Sequence, residues 1–262
     1  MSSETLIYTV VDGVATITLN RPHVMNALDA HMIGRLREVC ESARDDATVR
    51  VIVLRGNGPA FMAGGDVALF HANLPQLPAL VEKLARELHH AIEALRDAPK
   101  PVLASVHGAV AGAGVSLLVA ADLAIAAADT KITLAYSKIG TSPDGGSTYF
   151  LPRMVGMRKA LELMLLSDPI DAQAALDIGL VNWVVPSAEL ATATDKIASR
   201  LATGPTLAYG ETKALVNRTF ERSLEAQLEA ETQAFARSAA SRDLAEGVTA
   251  FVEKRKPRFE GK

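Results

Sequence analysis

The 262-residue chain has a single cysteine, Cys40, which excludes an internal disulfide framework and suits a reducing compartment. It has little net charge: 27 Lys+Arg against 30 Asp+Glu leave −3 at pH 7, which argues against nucleic acid as a partner. It lacks a long apolar run. Residues 102–128 come closest to the roughly 18 residues of a membrane span, but glycines, His107 and Asp122 interrupt them. The opening MSSETLIYTVVDG has no basic segment followed by an apolar core, so no signal peptide and a cytoplasmic location are expected. At 49% hydrophobic and 22% charged, the composition is that of a soluble globular protein with a sizeable core.

Several chemistries are missing as motifs. There is no GxxxxGK[ST] phosphate loop and no GxSxG nucleophile turn. Gly108, Gly112 and Gly114 do not make a GxGxxG dinucleotide motif, because position 117 is Leu. The six histidines are scattered without metal-ligand spacing.

Two glycine-rich turns remain, each after an apolar strand. Val49–Leu54 is a β-branched run that predicts a buried strand, and Phe61-Met62-Ala63-Gly64-Gly65-Asp66 follows it. Val102–Val106 predicts a central strand broken by His107-Gly108, and Gly112-Ala113-Gly114 opens an apolar helix to Ala121. Free N–H groups and the positive dipole end of such a helix favour negative charge, and two N–H donors from separate turns can hold a developing oxyanion. On local grounds the first turn reads equally as a loop into a short helix capped by Asp66.

The rest of the chain supplies a frame. Asp12-Gly13 joins two alternating strands as a hairpin, and Asp29 predicts the N-cap of a helix carrying Met32, Ile33, Leu36, Val39 and Cys40. Leu77–Leu95 is helical, with His90 pointing away from its apolar stripe and His89 at the stripe's edge. Short strands follow Asp122, then a short helix or turn over Gly145–Val155 and a helix over Lys159–Leu166, and Asp171 caps another that Gly179 ends. Beyond Pro186 the pattern is helical: Glu189–Ala202, Thr206–Asn217, Leu224–Phe235 and Asp243–Lys254. This predicts an α/β core over residues 1–200 and a helical region over 201–262, packed on the core or on another subunit.

These residues, in this order, resemble the crotonase (enoyl-CoA hydratase/isomerase) superfamily across essentially the whole chain. The likeness rests on Asn20-Arg21-Pro22, Asn26-Ala27-Leu28, Phe61–Asp66, Lys100-Pro101-Val102, Gly108–Gly114, Asp122, Pro143-Asp144-Gly145-Gly146, Gly179-Leu180-Val181-Asn182 and Glu246–Phe251. The resemblance implies a spiral of ββα units with a C-terminal helical trimerisation region, assembled as a homotrimer or dimer of trimers. It implies an acyl-CoA thioester as substrate, with no separate cofactor or metal. The thioester oxygen would take the N–H groups of Gly65 and Ala113. Ala63, Asp66, Gly112, Tyr136 and His89 would line the substrate, and the basic run Lys254–Arg258 would either reach CoA phosphates or lie solvated.

The departures matter as much. Hydratases of this family carry two glutamates, at the positions that are Ser116 and Tyr136 here. Hydration needs one group to activate water and another to handle the α-proton, so weak or absent hydratase activity is expected. Asp144, which on local grounds is ordinary turn chemistry, is the remaining candidate acid/base. The pattern is similar to the epoxyphenylacetyl-CoA (oxepin-CoA-forming) isomerases, which also lack both glutamates. A second resemblance, to 4-chlorobenzoyl-CoA dehalogenases, rests on His89, Tyr136, Asp144 and the Val155–Leu165 stretch; there the clamp residue is tryptophan rather than tyrosine. A non-catalytic CoA-binding protein is the third alternative.

Overall fold

The computed structural model describes residues 4–262; the expectation about the N-terminal segment, and the start of the predicted core, rest partly on residues 1–3, which lie outside them. The chain begins with the predicted hairpin, β1 (Leu6–Val11) and β2 (Val14–Leu19). Helix α1 (Ala30–Asp45) follows, with Asp29 accepting a hydrogen bond from Met32 N, as an N-cap should. Then come β3 (Val51–Gly56), β4 (Ala60–Met62), α2 (Val67–Ala72) and α3 (Leu77–Asp97). The central stretch forms β5 (Val102–Val106), β6 (Ala109–Ala111), α4 (Ala113–Ala120), β7 (Leu123–Ala127) and β8 (Lys131–Thr133). After it lie α5 (Ser147–Val155), α6 (Met157–Leu166), β9 (Ile170–Asp171), α7 (Ala172–Asp177), β10 (Trp183–Val185), α8 (Leu190–Ala202), α9 (Thr206–Asn217), α10 (Leu224–Ala239) and α11 (Arg242–Val252).

From β3 to β8 the strands alternate between two sheets. One has the order β1-β2-β3-β5-β7-β10 and the other β4-β6-β8-β9. Strands β3, β5 and β7 pair in parallel in the first, and their immediate successors β4, β6 and β8 pair in parallel in the second. Each turn of the chain therefore lays one strand on each sheet before a helix carries it onward, the ββα spiral that the resemblance implies. The successive residues of β3 point to opposite faces. Ile52 and Leu54 join the main core with α1, α3 and α4, whereas Val51 and Val53 pack with Leu103, Ile125 and α8 residues Leu190, Ala198 and Ala202.

Helix α4 is buried along its whole length, which is why it is apolar on every side rather than striped. It sits against β4 so closely that a Cβ on Gly114 would lie 2.6 Å from the Met62 carbonyl oxygen. The C-terminal region is pinned to this core. Lys213 Nζ on α9 donates to Leu95 O (2.7 Å) at the end of α3 and pairs with Asp122 (2.8 Å). Arg50 donates to Gly204 O (2.6 Å) and Phe259 O (3.1 Å), and Asp243 accepts from the N–H groups of Glu260 and Gly261. No helix among the described residues is long and apolar enough to cross a membrane.

Candidate active site

The first glycine turn is built by its neighbours rather than by its own sequence. Buried Asn26 donates from Nδ2 to the carbonyls of Asn57, Ala60 and Phe61 and accepts from Arg21 N, so the connection from β3 into β4, which leads to the first turn, is fixed. Leu28 N donates to Gly64 O (2.8 Å) and Asp66 N donates to Leu28 O (3.0 Å). This bridge uses the groups on either side of Gly65 and leaves the Gly65 N–H without a partner among the described residues.

The second turn does the same for Ala113. Gly112 N donates to Thr133 O, and the Gly112 carbonyl accepts from Val115 and Ser116, while the Ala113 N–H at the first position of α4 has no partner among the described residues. The two turns abut: a Cβ on Gly112 would lie 3.5 Å from Gly64 Cα and 4.0 Å from Tyr136 Cζ. Two unpaired backbone donors thus come from adjacent turns, one of them at a helix N-terminus whose dipole favours negative charge.

A compact polar cluster stands beside them. The Tyr136 hydroxyl donates to Asp144 Oδ1 at 2.6 Å. Ser116, fully buried on α4, donates from Oγ to the Asp144 carbonyl (2.9 Å) and lies 3.2 Å from the Tyr136 hydroxyl. Ser147 adds its own Oγ (2.9 Å) and N–H (3.2 Å) to the same carbonyl. Gly145 N donates to His89 Nε2 at 3.4 Å, which places the His89 ring against the Asp144 turn. Burial first, then the Asp144 charge, pushes the Tyr136 phenol well above its usual range, so it stays a donor at neutral pH.

Of the expected substrate-lining residues, Gly112, Tyr136 and His89 converge on this cluster. Ala63 and Asp66 are engaged within the fold: Ala63 N donates to Met25 O, and Asp66 caps α2 through Leu69 N while facing Arg21 at 3.4 Å. The capping role is the local alternative drawn from the sequence. In the basic tail, Arg255 forms a bidentate pair with Glu246 (2.6 and 2.8 Å) and a second pair with Glu253, and it holds the Glu246 carboxyl down at about 2. Ser147 carries no signal in the sequence: nothing in its pattern distinguishes it from any helix-start serine.

A sequence profile described as Enoyl-CoA hydratase/isomerase matches residues 9–262. The chain belongs to the enoyl-CoA hydratase/isomerase family. It is 40% identical over 265 residues, spanning all of both chains, to a Rhodobacter capsulatus protein named as a probable enoyl-CoA hydratase. It is 36% identical over 263 residues, 99% of each chain, to the 1,2-epoxyphenylacetyl-CoA isomerase of Escherichia coli. A Mycobacterium abscessus crystal structure named for the same family superposes with a TM-score of 0.94 at 38% identity, covering 98% of this chain and all of that one. The crotonase-type fold and family are therefore those that the motif series implies. The relatives' names divide between hydratase and isomerase.

Proposed function

We propose that this enoyl-CoA hydratase/isomerase family member isomerises an acyl-CoA thioester through an enolate, with Asp144 as the single acid/base. The observation that carries the reading is the cluster at Asp144: the two positions expected to hold hydratase glutamates are hydroxyls, Ser116 and Tyr136, and both donate to Asp144. In a β,γ-enoyl thioester, an Asp144 oxygen takes the α-proton and the C–H electron pair moves into the carbonyl. The Gly65 and Ala113 N–H groups hold the resulting oxyanion. The carboxylic acid then returns a proton at the γ carbon and the double bond comes to rest α,β. One base suffices, no water is consumed, and no cofactor is needed beyond the CoA of the substrate. The name of the Escherichia coli relative supports ring rearrangement of 1,2-epoxyphenylacetyl-CoA as a substrate to test for the same site.

The exposed apolar side chains of the C-terminal helices, among them Leu224, Phe235, Phe251 and Val252, support assembly through residues 201–262, and a homotrimer is the proposed state. The test of the reaction is a panel of β,γ-enoyl-CoA isomerisation, 1,2-epoxyphenylacetyl-CoA rearrangement, crotonyl-CoA hydration and chloride release from 4-chlorobenzoyl-CoA. Isomerisation or rearrangement should dominate, and Asp144→Asn should lower it by about 10²- to 10⁴-fold. An Asp144→Asn enzyme of unchanged rate would refute the assignment, and binding of every thioester without turnover would favour a non-catalytic protein.

A further inference from the structure

The Asp144 cluster contains more order than an acid/base alone requires. Two hydroxyl protons are available, on Ser116 and Tyr136, and three acceptors compete for them: Asp144 Oδ1, the Asp144 carbonyl, and the other hydroxyl. The shortest contact, Tyr136 to Oδ1 at 2.6 Å, takes the phenol proton, because a hydroxyl-to-carboxylate bond is stronger and shorter than a neutral one. The serine proton then goes to the Asp144 carbonyl at 2.9 Å, which also receives Ser147. The backbone of Asp144 is held from one side and its Oδ1 from another. Oδ2 makes no hydrogen bond to any described residue.

Resting on the isomerase reading above, we propose that Tyr136 is a positioning residue: it commits Oδ1 of Asp144, so that Oδ2 alone carries the proton from the α to the γ carbon. A carboxylate free at both oxygens can rotate about its Cβ–Cγ bond and present the proton to solvent between the two half-reactions. One anchored at Oδ1 cannot turn without breaking the Tyr136 bond, so the proton that arrives on Oδ2 stays there until the enolate takes it back. The group on this carboxylate is the Tyr136 hydroxyl; the Ser116 hydroxyl lies 3.2 Å from that hydroxyl, and the His89 ring lies across the turn at Gly145. The structural consequence is a site tuned to internal proton return, which is the chemistry that separates isomerisation from hydration in a shared fold.

The experiment uses a β,γ-enoyl-CoA deuterated at the α carbon, turned over by the full-length protein in ordinary water, with the product analysed for deuterium at the γ carbon. Wild type should carry a measurable fraction of the label across. Tyr136→Phe, which deletes one oxygen and keeps the ring, should lower kcat on the order of 10- to 100-fold, since small misplacements of a catalytic group cost that much. Its KM should stay within about twofold, and the transferred label should fall towards zero. Ser116→Ala, which touches Asp144 only through the backbone carbonyl, should keep the label fraction of wild type. Wild-type kcat and label transfer in Tyr136→Phe would overturn the proposal, as would an equal loss of label in Ser116→Ala. If Asp144→Asn leaves the rate unchanged, the isomerase reading itself fails. If Asp144→Asn is inactive while Tyr136→Phe behaves as wild type, only the positioning role fails.

Discussion

The oxyanion role of Ala113 can be tested by deleting one N–H without rebuilding the site. Ala113 is the first residue of α4, preceded by Gly112 at φ 51° and ψ −120°. Proline is tolerated at that helical position, because its missing N–H is one that the helix leaves unpaired in any case. Gly112 has no Cβ to clash with the proline ring, and its conformation mirrors the extended one that a residue before proline prefers. Ala113→Pro should therefore fold, with a melting temperature close to that of wild type. Its activity should fall steeply. Losing one oxyanion donor costs about 3 kcal/mol in the transition state, and at about 1.36 kcal/mol per decade that is roughly 150-fold in kcat. Ala113→Ser, which keeps the N–H and adds one oxygen, is the control and should lose far less. The assay is kcat on whichever thioester the wild type isomerises, alongside thermal unfolding. A folded Ala113→Pro enzyme within about fivefold of wild type would show that the Ala113 N–H does not hold the transition state.

Two further outcomes concern the frame that holds the site. Lys213→Met should lower stability at neutral pH by about 2–4 kcal/mol, because it removes the cation that the largely desolvated Asp122 carboxylate meets at 2.8 Å and leaves it only the Val102 N–H as a hydrogen-bond donor; denaturant unfolding that shows a loss under about 1 kcal/mol would refute the pairing argument. The pH dependence has a definite sign. Burial pushes the Asp122 carboxyl up and Lys213 opposes it, so without the lysine the folded-state pKa rises further. A raised group favours the fold below its unfolded pKa and loses that contribution as pH rises through the folded one, so the deficit of the variant should widen from about pH 4 to pH 7. Gly114→Ala should cost about 1–3 kcal/mol, since its Cβ would meet the Met62 carbonyl at 2.6 Å and backbone cannot step aside; unchanged unfolding would mean that α4 and β4 separate more easily than their packing implies.

What the sequence made legible follows from the range of the forces involved. The β1–β2 hairpin is written in Asp12-Gly13, and α1 in Asp29 and its apolar spacing, because a turn and a cap are local events. Helix α9 matches its predicted limits, Thr206–Asn217. Strands β4, β6 and β9 went unseen: they are three, three and two residues long, too short for any period to show, and pairing partners far along the chain create them. With β8 they form the second sheet, and its β4–β6 pairing sets the Gly64 turn against the Gly112 turn. Lys213 illustrates a different limit. Nothing in the sequence of α9 marks it, and only the fold reveals it as buried beneath α3 and paired with Asp122.

The site shows the same division. Gly65, Ala113 and Asp144 stand out by glycine patterning and by likeness to a family, but the bonds that join Asp144 to Tyr136, Ser116 and Ser147 cross separations of 8, 28 and 3 residues, and no spacing rule links them. Those bonds bear on the reaction more than the names of relatives do. A hydratase needs a base for water, and neither hydroxyl at the glutamate positions offers one. The Ser116 proton is committed to a carbonyl, and the Tyr136 phenol, raised by burial and by the Asp144 charge, stays a donor at neutral pH. On the reading proposed above, the two donors at these positions support the one carboxylate of the cluster, Asp144. On that reading the oxyanion site serves either reaction, and the choice between adding water and returning a proton falls to the groups around Asp144.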